Sequence, residues 1–185
     1  MSIKITETGT AEYPYLTTPD YQFSSGGKYQ VKLVVPKEKA KTDIELINNV
    51  IASRVAKECQ NKSGDQIKKA PLPYEERGEE IIFNFKMKAS GVRKSDNKPF
   101  TQEPNLLNAD LTPFDKDQKI WGGSKLKITF EPYAWNMPIG IGCTLRLKTV
   151  QVLELVTGKS TNSLGELKVE PVVAPKVKDE VEALI

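Results

Sequence analysis

The chain contains no histidine, which removes the commonest general base, the usual neutral metal ligand and every Ser-His or Cys-His nucleophile pair. Cysteine is nearly as scarce. Cys59 and Cys143 stand far apart and outside any CxxC spacing, so neither a disulfide framework nor a zinc ribbon is indicated, and both thiols are expected to be small buried apolar residues. Long apolar runs are missing too: the stretch from Val150 to Val156 is far short of a membrane span. The first residues, Met1-Ser2-Ile3-Lys4-Ile5-Thr6, lack the apolar region and cleavage site of a signal peptide, so a cytoplasmic protein is expected.

Charge of one sign is not in large excess either, since 27 Lys+Arg face 24 Asp+Glu for a net +3. Its distribution says more than its sum. Residues 157–185 hold four basic and five acidic groups, leaving 23 against 19 in residues 1–156, a body of +4 with a mildly acidic end. At 185 residues there is room for one domain with a buried core but not for two comfortable ones. Periodicity stops after Val156, where Gly158, Ser160, Thr161, Asn162, Ser163 and Gly165 precede a stretch dotted with Pro and Val and rich in Lys and Glu. The reading is a domain over 1–156 and a flexible, mildly acidic C-terminal tail over 157–185.

Four segments alternate as half-buried strands do. In Lys28 to Val35, Tyr29, Val31, Leu33 and Val35 share one face; Ile81, Phe83, Phe85 and Met87 do so in the next, and Leu126, Ile128 and Phe130 in the third. The fourth runs from about Gly140 to Val156, and its apolar set changes phase near Thr149 and Val150, which predicts a bulge. One helix is expected, opened by a capping box at Thr42 and Glu45 and striped by Ile44, Ile47, Ile51, Val55 and Cys59. The stretch through Tyr13-Pro14-Tyr15-Leu16 to Gly26-Gly27 reads as irregular after a short strand. Asn61 to Gly78 reads as a loop, Gly91 to Gly123 as long connections with at most a short helix, and the Pro132, Tyr133, Trp135, Pro138 stretch as a loop.

The outer faces of the four strands share one feature, a basic pair each: Lys28 and Lys32, Lys86 and Lys88, Lys125 and Lys127, Arg146 and Lys148. On a common sheet they would make one cationic stripe able to neutralise phosphates and release counterions. Trp121, Tyr133, Trp135 and Phe100 could stack on the bases that a single strand leaves free. Against this stands the plainer reading that solvent faces of strands carry lysine for solubility, and that Trp and Tyr often wedge into a barrel rim. Trp121, followed by Gly122-Gly123, reads as a turn anchor, while Tyr133 and Trp135 are kept as binding candidates.

Asp110, Asp115, Asp117 and Glu131 are the one acidic group that could hold a divalent ion. They sit in a turn-rich stretch where Asp serves the backbone, so no metal site and no cofactor is expected. Gly26-Gly27-Lys28 precedes a strand, not a helix, and is a hairpin turn, not a phosphate loop. The tail end carries Asp179, Glu180 and Glu182, acids that could fold back over a basic groove or dock on a partner's basic patch.

Several segments resemble a known family. Pro113-Phe114-Asp115, Trp121-Gly122-Gly123-Ser124, Phe130-Glu131-Pro132-Tyr133 and above all Leu145-Arg146-Leu147-Lys148-Thr149-Val150-Gln151-Val152-Leu153-Glu154-Leu155 are similar to the single-stranded DNA-binding proteins of short-tailed bacteriophages. Ala11-Glu12-Tyr13-Pro14-Tyr15-Leu16 and Gly27-Lys28-Tyr29-Gln30-Val31 extend the resemblance over about residues 11–156. It implies a mainly β, five-stranded OB-fold-like antiparallel barrel with one helix, sequence-tolerant binding of single-stranded DNA inside an infected bacterium, a homodimer, strand annealing, and roles in replication, recombination and repair. It also implies contacts to polymerase and helicase-primase through an acidic tail. The family's tail is usually strongly acidic with a terminal aromatic residue, whereas this one has interspersed lysines and ends Leu184-Ile185.

A non-enzymatic DNA-binding module is therefore the expected function. Its competitor is a structural or scaffolding β-barrel protein of a virion or complex. A metal-dependent nuclease built on the acidic group ranks last, for want of histidine and any placed base.

Overall fold

The computed structural model describes residues 3–22, 24–59, 68–93 and 95–157. In chain order the elements are β1 (Lys4–Ile5), β2 (Gly9–Asp20), β3 (Lys28–Pro36), α1 (Lys37–Cys59), β4 (Tyr74–Arg77), β5 (Glu80–Lys88), β6 (Ser90–Val92), β7 (Pro99–Thr101), β8 (Asn105–Leu107), β9 (Lys125–Met137) and β10 (Gly140–Glu154). Strand order runs β9-β2-β3-β5-β10, and a further pairing of β10 with β9 closes the ring. The result is the expected five-stranded OB-like barrel. One detail differs from the all-antiparallel expectation: β5 and β10 run parallel, with Leu145 opposite Phe85 and Arg146 opposite Lys86. A closed ring of five strands cannot alternate direction at every neighbour, so at least one adjacent pair must run parallel.

Period-2 alternation fills the inside. Val31, Leu33 and Val35 from β3, Ile81, Phe83 and Phe85 from β5, Leu126, Ile128 and Phe130 from β9, and Cys143, Leu145 and Leu147 from β10 are all buried. The rings of Phe85 and Phe130 meet edge-on at 5.2 Å between centroids, a favoured aromatic geometry that ties β5 to β9 across the interior. Where the apolar set of β10 changes phase, its register against β9 shifts between Leu147 and Thr149. The bulge lies where the sequence placed it.

The helix starts earlier than the capping box suggested. It begins at Lys37, directly after Pro36 ends β3, so Thr42 lies inside it and exposed. Lys37 to Lys41 are good helix formers, and Ala40 among them is fully buried, so packing begins a turn before the polar cap-like pair. Ile47 is buried, with Ile44, Leu46, Val50 and Ile51 packed on the barrel core. Cys59 ends the helix exposed, contrary to expectation, whereas Cys143 is buried.

Two stretches read as irregular are strand. β2 crosses Pro14 and Pro19 by slipping register between Glu12 and Tyr15 and again between Tyr15 and Asp20, the bulges that proline in a strand requires. The proposed loop around Pro132 is the far half of β9. From Glu131 to Met137 that strand pairs with β10 alone, so the missing N–H of Pro132 costs the sheet little. The region 91–123 contains β8, paired parallel to β10, and most of the β6-β7 hairpin, with no helix among its described residues. β4 adds a short strand where a loop was expected.

Candidate nucleic-acid interface

Because side chains on facing strands share a face at paired positions, the register alone assembles a surface. Tyr15 on β2 pairs with Gln30 on β3, Gln30 with Lys86 on β5, Lys86 with Arg146 on β10, and Arg146 with Glu131 on β9. One transverse row thus crosses the outside of all five barrel strands. The neighbouring rows add Lys28 opposite Lys88, Lys32 opposite Asn84, and Thr144 opposite Tyr133.

The cations in this face crowd one another. Burial, then the nearby Lys28 and Lys32 charges, hold the Lys86 ammonium below the usual lysine range. Facing like charges cost stability unless an anion offsets them. Lys32 reaches Glu75 at 3.0 Å and Lys148 reaches Glu131 at 3.1 Å. Among the described residues no ion pair involves Lys86, Lys88 or Arg146.

Both aromatic candidates are held in place by β10. The Arg146 guanidinium lies 3.5 Å from the centroid of the Tyr133 ring, a cation–π stack that leaves a flat, positively charged platform. The Trp135 indole N–H donates to Thr144 Oγ1 at 2.9 Å, and its six-membered ring lies against Gly142. Both rings are half-buried. They are neither pure core nor free loop residues.

Not every predicted residue joins this face. Lys125 and Lys127 are on the same outer side of β9, but their β10 partners are Glu154 and Gln151, beyond the bulge. That puts Lys127 four residues from Glu131, or about 13 Å along the strand, and Lys125 donates to Thr10 Oγ1 at 2.7 Å. The single stripe of four basic pairs is thus two groups: Lys28, Lys32, Lys86, Lys88, Arg146 and Lys148 together, and Lys125 with Lys127 apart. Asp179, Glu180 and Glu182 lie outside the described residues, as does the tail from residue 158.

Sequence reading missed Tyr15, whose ring enters the row only through pairing with Gln30. Trp121 does open the expected turn, its carbonyl accepting the Ser124 amide at 3.3 Å, but its ring is 43% exposed. In the acidic group, Asp110 accepts the Thr112 amide and hydroxyl, Asp115 accepts the Asp117 amide, and Glu131 pairs with Lys148. No group of three or more metal-ligating side chains occurs among the described residues.

Residues 8–155 match the model of a family described as the single-stranded DNA-binding protein of bacteriophage T7. The chain belongs to this family. It is 33% identical over 178 residues to the single-stranded DNA-binding protein of Enterobacteria phage T3, covering 80% of this chain and 74% of that one. To the Escherichia phage T7 protein of the same description it is 30% identical over 175 residues, with the same coverage. The family's fold recurs in the crystal structure of gp2.5, a single-stranded DNA-binding protein encoded by bacteriophage T7. There the TM-score is 0.74 at 25% identity, covering 88% of this chain and 97% of that chain. The bacteriophage Enc34 single-stranded DNA-binding protein in complex with single-stranded DNA shares the fold at TM-score 0.56 and 15% identity, over 82% of this chain and 86% of that one. No described helix is long and apolar enough to cross a membrane.

Proposed function

We propose that this family member binds single-stranded DNA with little sequence preference across the outer face of β2, β3, β5, β10 and β9. The observation that carries the reading is the row Tyr15, Gln30, Lys86, Arg146 with Tyr133 beside it. Lys28, Lys86, Lys88 and Arg146 track phosphates, Lys32 and Lys148 exchange their carboxylate partners for them, and Tyr133 and Trp135 stack on bases. Lys125 and Lys127 serve a more distant part of the strand. Binding needs no covalent step, metal or cofactor.

Kinship with the T3 and T7 proteins supports a place in phage DNA replication within the infected cell, with strand protection and annealing, and with recombination and repair as related uses. The reading also takes in a homodimer and a tail, 157–185, whose Asp179, Glu180 and Glu182 recruit polymerase and helicase-primase, as the family resemblance implies. A virion scaffold draws no support from it.

Fluorescence anisotropy of a labelled oligothymidylate at about 50 and 200 mM salt tests the reading, with duplex DNA of equal length as competitor. Single strands should bind more tightly than duplex, and affinity should fall linearly in log salt. Lys86→Ala should weaken every sequence alike and lessen the slope by about 0.7, the share of one phosphate. Equal affinity for duplex, or no salt dependence, would refute the proposal.

A further inference from the structure

Beyond the β2 end of the row lies a second cleft. It has a volume of about 550 Å³ and is walled by Tyr13, Tyr15, Trp121, Lys119 and the Arg77–Glu12 pair. The size is that of a small-molecule site. Three aromatic rings line it with much of their surface in solvent: Tyr13 is 73% exposed, Tyr15 44% and Trp121 43%. Exposed large rings gathered in one concavity call for a partner.

One feature shows that the chain holds this arrangement at a cost. Tyr13 has φ +48°, a left-handed conformation that bulky side chains avoid and that costs of the order of 1 kcal/mol or more. The cause is the bulge in which Tyr13 and Pro14 of β2 together oppose Val31 of β3, between the Glu12–Lys32 and Tyr15–Gln30 pairs. Without it the alternation of β2 would carry different side chains to this edge. The charges are also arranged. Arg77 takes the Glu12 carboxylate at 2.7 Å, while the Lys119 ammonium lies 4.5 Å from the Trp121 ring centroid. The cleft's one carboxylate is neutralised and a cation sits against its indole.

We propose that this cleft is a second nucleobase-stacking subsite, which takes a base of the same DNA strand after it has crossed the row from Arg146 to Tyr15. This rests on the reading given under Proposed function. Tyr15 belongs to both surfaces, so the track is continuous. From β10 to β2 it spans three interstrand steps, about 14 Å, and a base leaving Tyr15 meets the Tyr13 and Trp121 rings next. Lys119 then faces the adjoining phosphate. Stacking accepts any base, as an outlying site on a sequence-tolerant binder must.

The chain has two tryptophans, so Trp135→Phe leaves Trp121 as the sole indole reporter. Its emission is followed while the protein is titrated with oligothymidylates of roughly 4 to 16 nucleotides, the range of OB-fold site sizes. Trp121 should be quenched only by the longer oligomers. In the otherwise unaltered chain, Trp121→Ala should lower affinity for the longest by roughly 5- to 150-fold and leave the shortest untouched, with Trp121→Phe restoring most of the loss. Tyr13→Asn, which suits the left-handed backbone, should repeat the length-dependent loss without disturbing the fold. Unchanged Trp121 emission at saturation, or an equal loss at every length, overturns the subsite. If Lys86→Ala still weakens binding in that case, the primary face stands; if neither Lys86→Ala nor Trp121→Ala changes affinity, both proposals fall together.

Discussion

Gly142 makes room for the Trp135 indole: a Cβ at that position would stand 2.5 Å from Cζ2 and 2.6 Å from Cη2 of the ring. The ring could not stay where it is. Gly142→Ala should push the indole off its seat and break its hydrogen bond to Thr144, costing about 1–3 kcal/mol of stability. Single-strand affinity should fall with it. Intrinsic fluorescence checks the prediction, since a displaced Trp135 changes its emission before any DNA is added; an unaltered spectrum with normal affinity would show that the strand backbone yields instead.

The stack of Arg146 on Tyr133 makes the two residues one binding unit. Tyr133→Ala should weaken single-strand binding by about 1–3 kcal/mol while leaving the melting temperature nearly unchanged, as the ring lies on the outer face. Arg146→Lys keeps the charge but loses the planar stack, so it should cost affinity too. A double-mutant cycle should give a coupling of about 0.5 kcal/mol or more between the positions, and additive losses would separate their roles.

Asp43 on α1 predicts a pH-dependent stability. Burial, then the nearby Glu7 charge, raises its carboxyl pKa from 3.8 to about 6, with Lys4 opposing. A raised acid pKa means that the folded chain holds its proton more tightly than the unfolded one. Stability from this group is therefore full below about pH 4 and declines as pH rises through 6, by on the order of 3 kcal/mol. Asp43→Asn should melt several degrees higher than the parent at pH 7.5 and level with it near pH 4, in thermal scans at constant salt. Melting curves that stay parallel across that range would clear Asp43 of any role.

Removing residues 158–185 should leave a folded domain, because Val156 keeps its amide bond to Ser124 Oγ at 3.0 Å. The body's charge becomes +4 against +3 for the whole chain, so single strands should bind at least as tightly, with the gain largest at low salt. Anisotropy titrations of the two forms decide this, and a truncated form that binds no DNA would place the tail lysines in the site. Stimulation of a cognate polymerase should fall at the same time if Asp179, Glu180 and Glu182 dock there.

Much of this protein was legible in one dimension because alternation is a local property. Whether Val31, Leu33 and Val35 share a face depends on the pleat of their own strand, and the bulge at Thr149 shows as a break in the same pattern. The four basic pairs followed from the same rule, whereas the barrel was implied only by the family resemblance. What the linear pattern could not hold was which strands pair, in what register and in which direction. Pro14 and Pro132 look like loop residues until β3 and β10 supply partners, and Thr42 looks like a helix start until Ala40 finds a place in the core. Lys127 resembles Lys86 in its neighbourhood along the chain, yet register puts one beyond the bulge and the other beside Arg146. Tyr13, Tyr15 and Trp121 belong to segments about 100 residues apart and meet because β2 bulges and the barrel closes. Side-chain facing is set within a strand, but proximity is set by hydrogen-bonded pairing between strands, and that is decided by the free energy of the whole core.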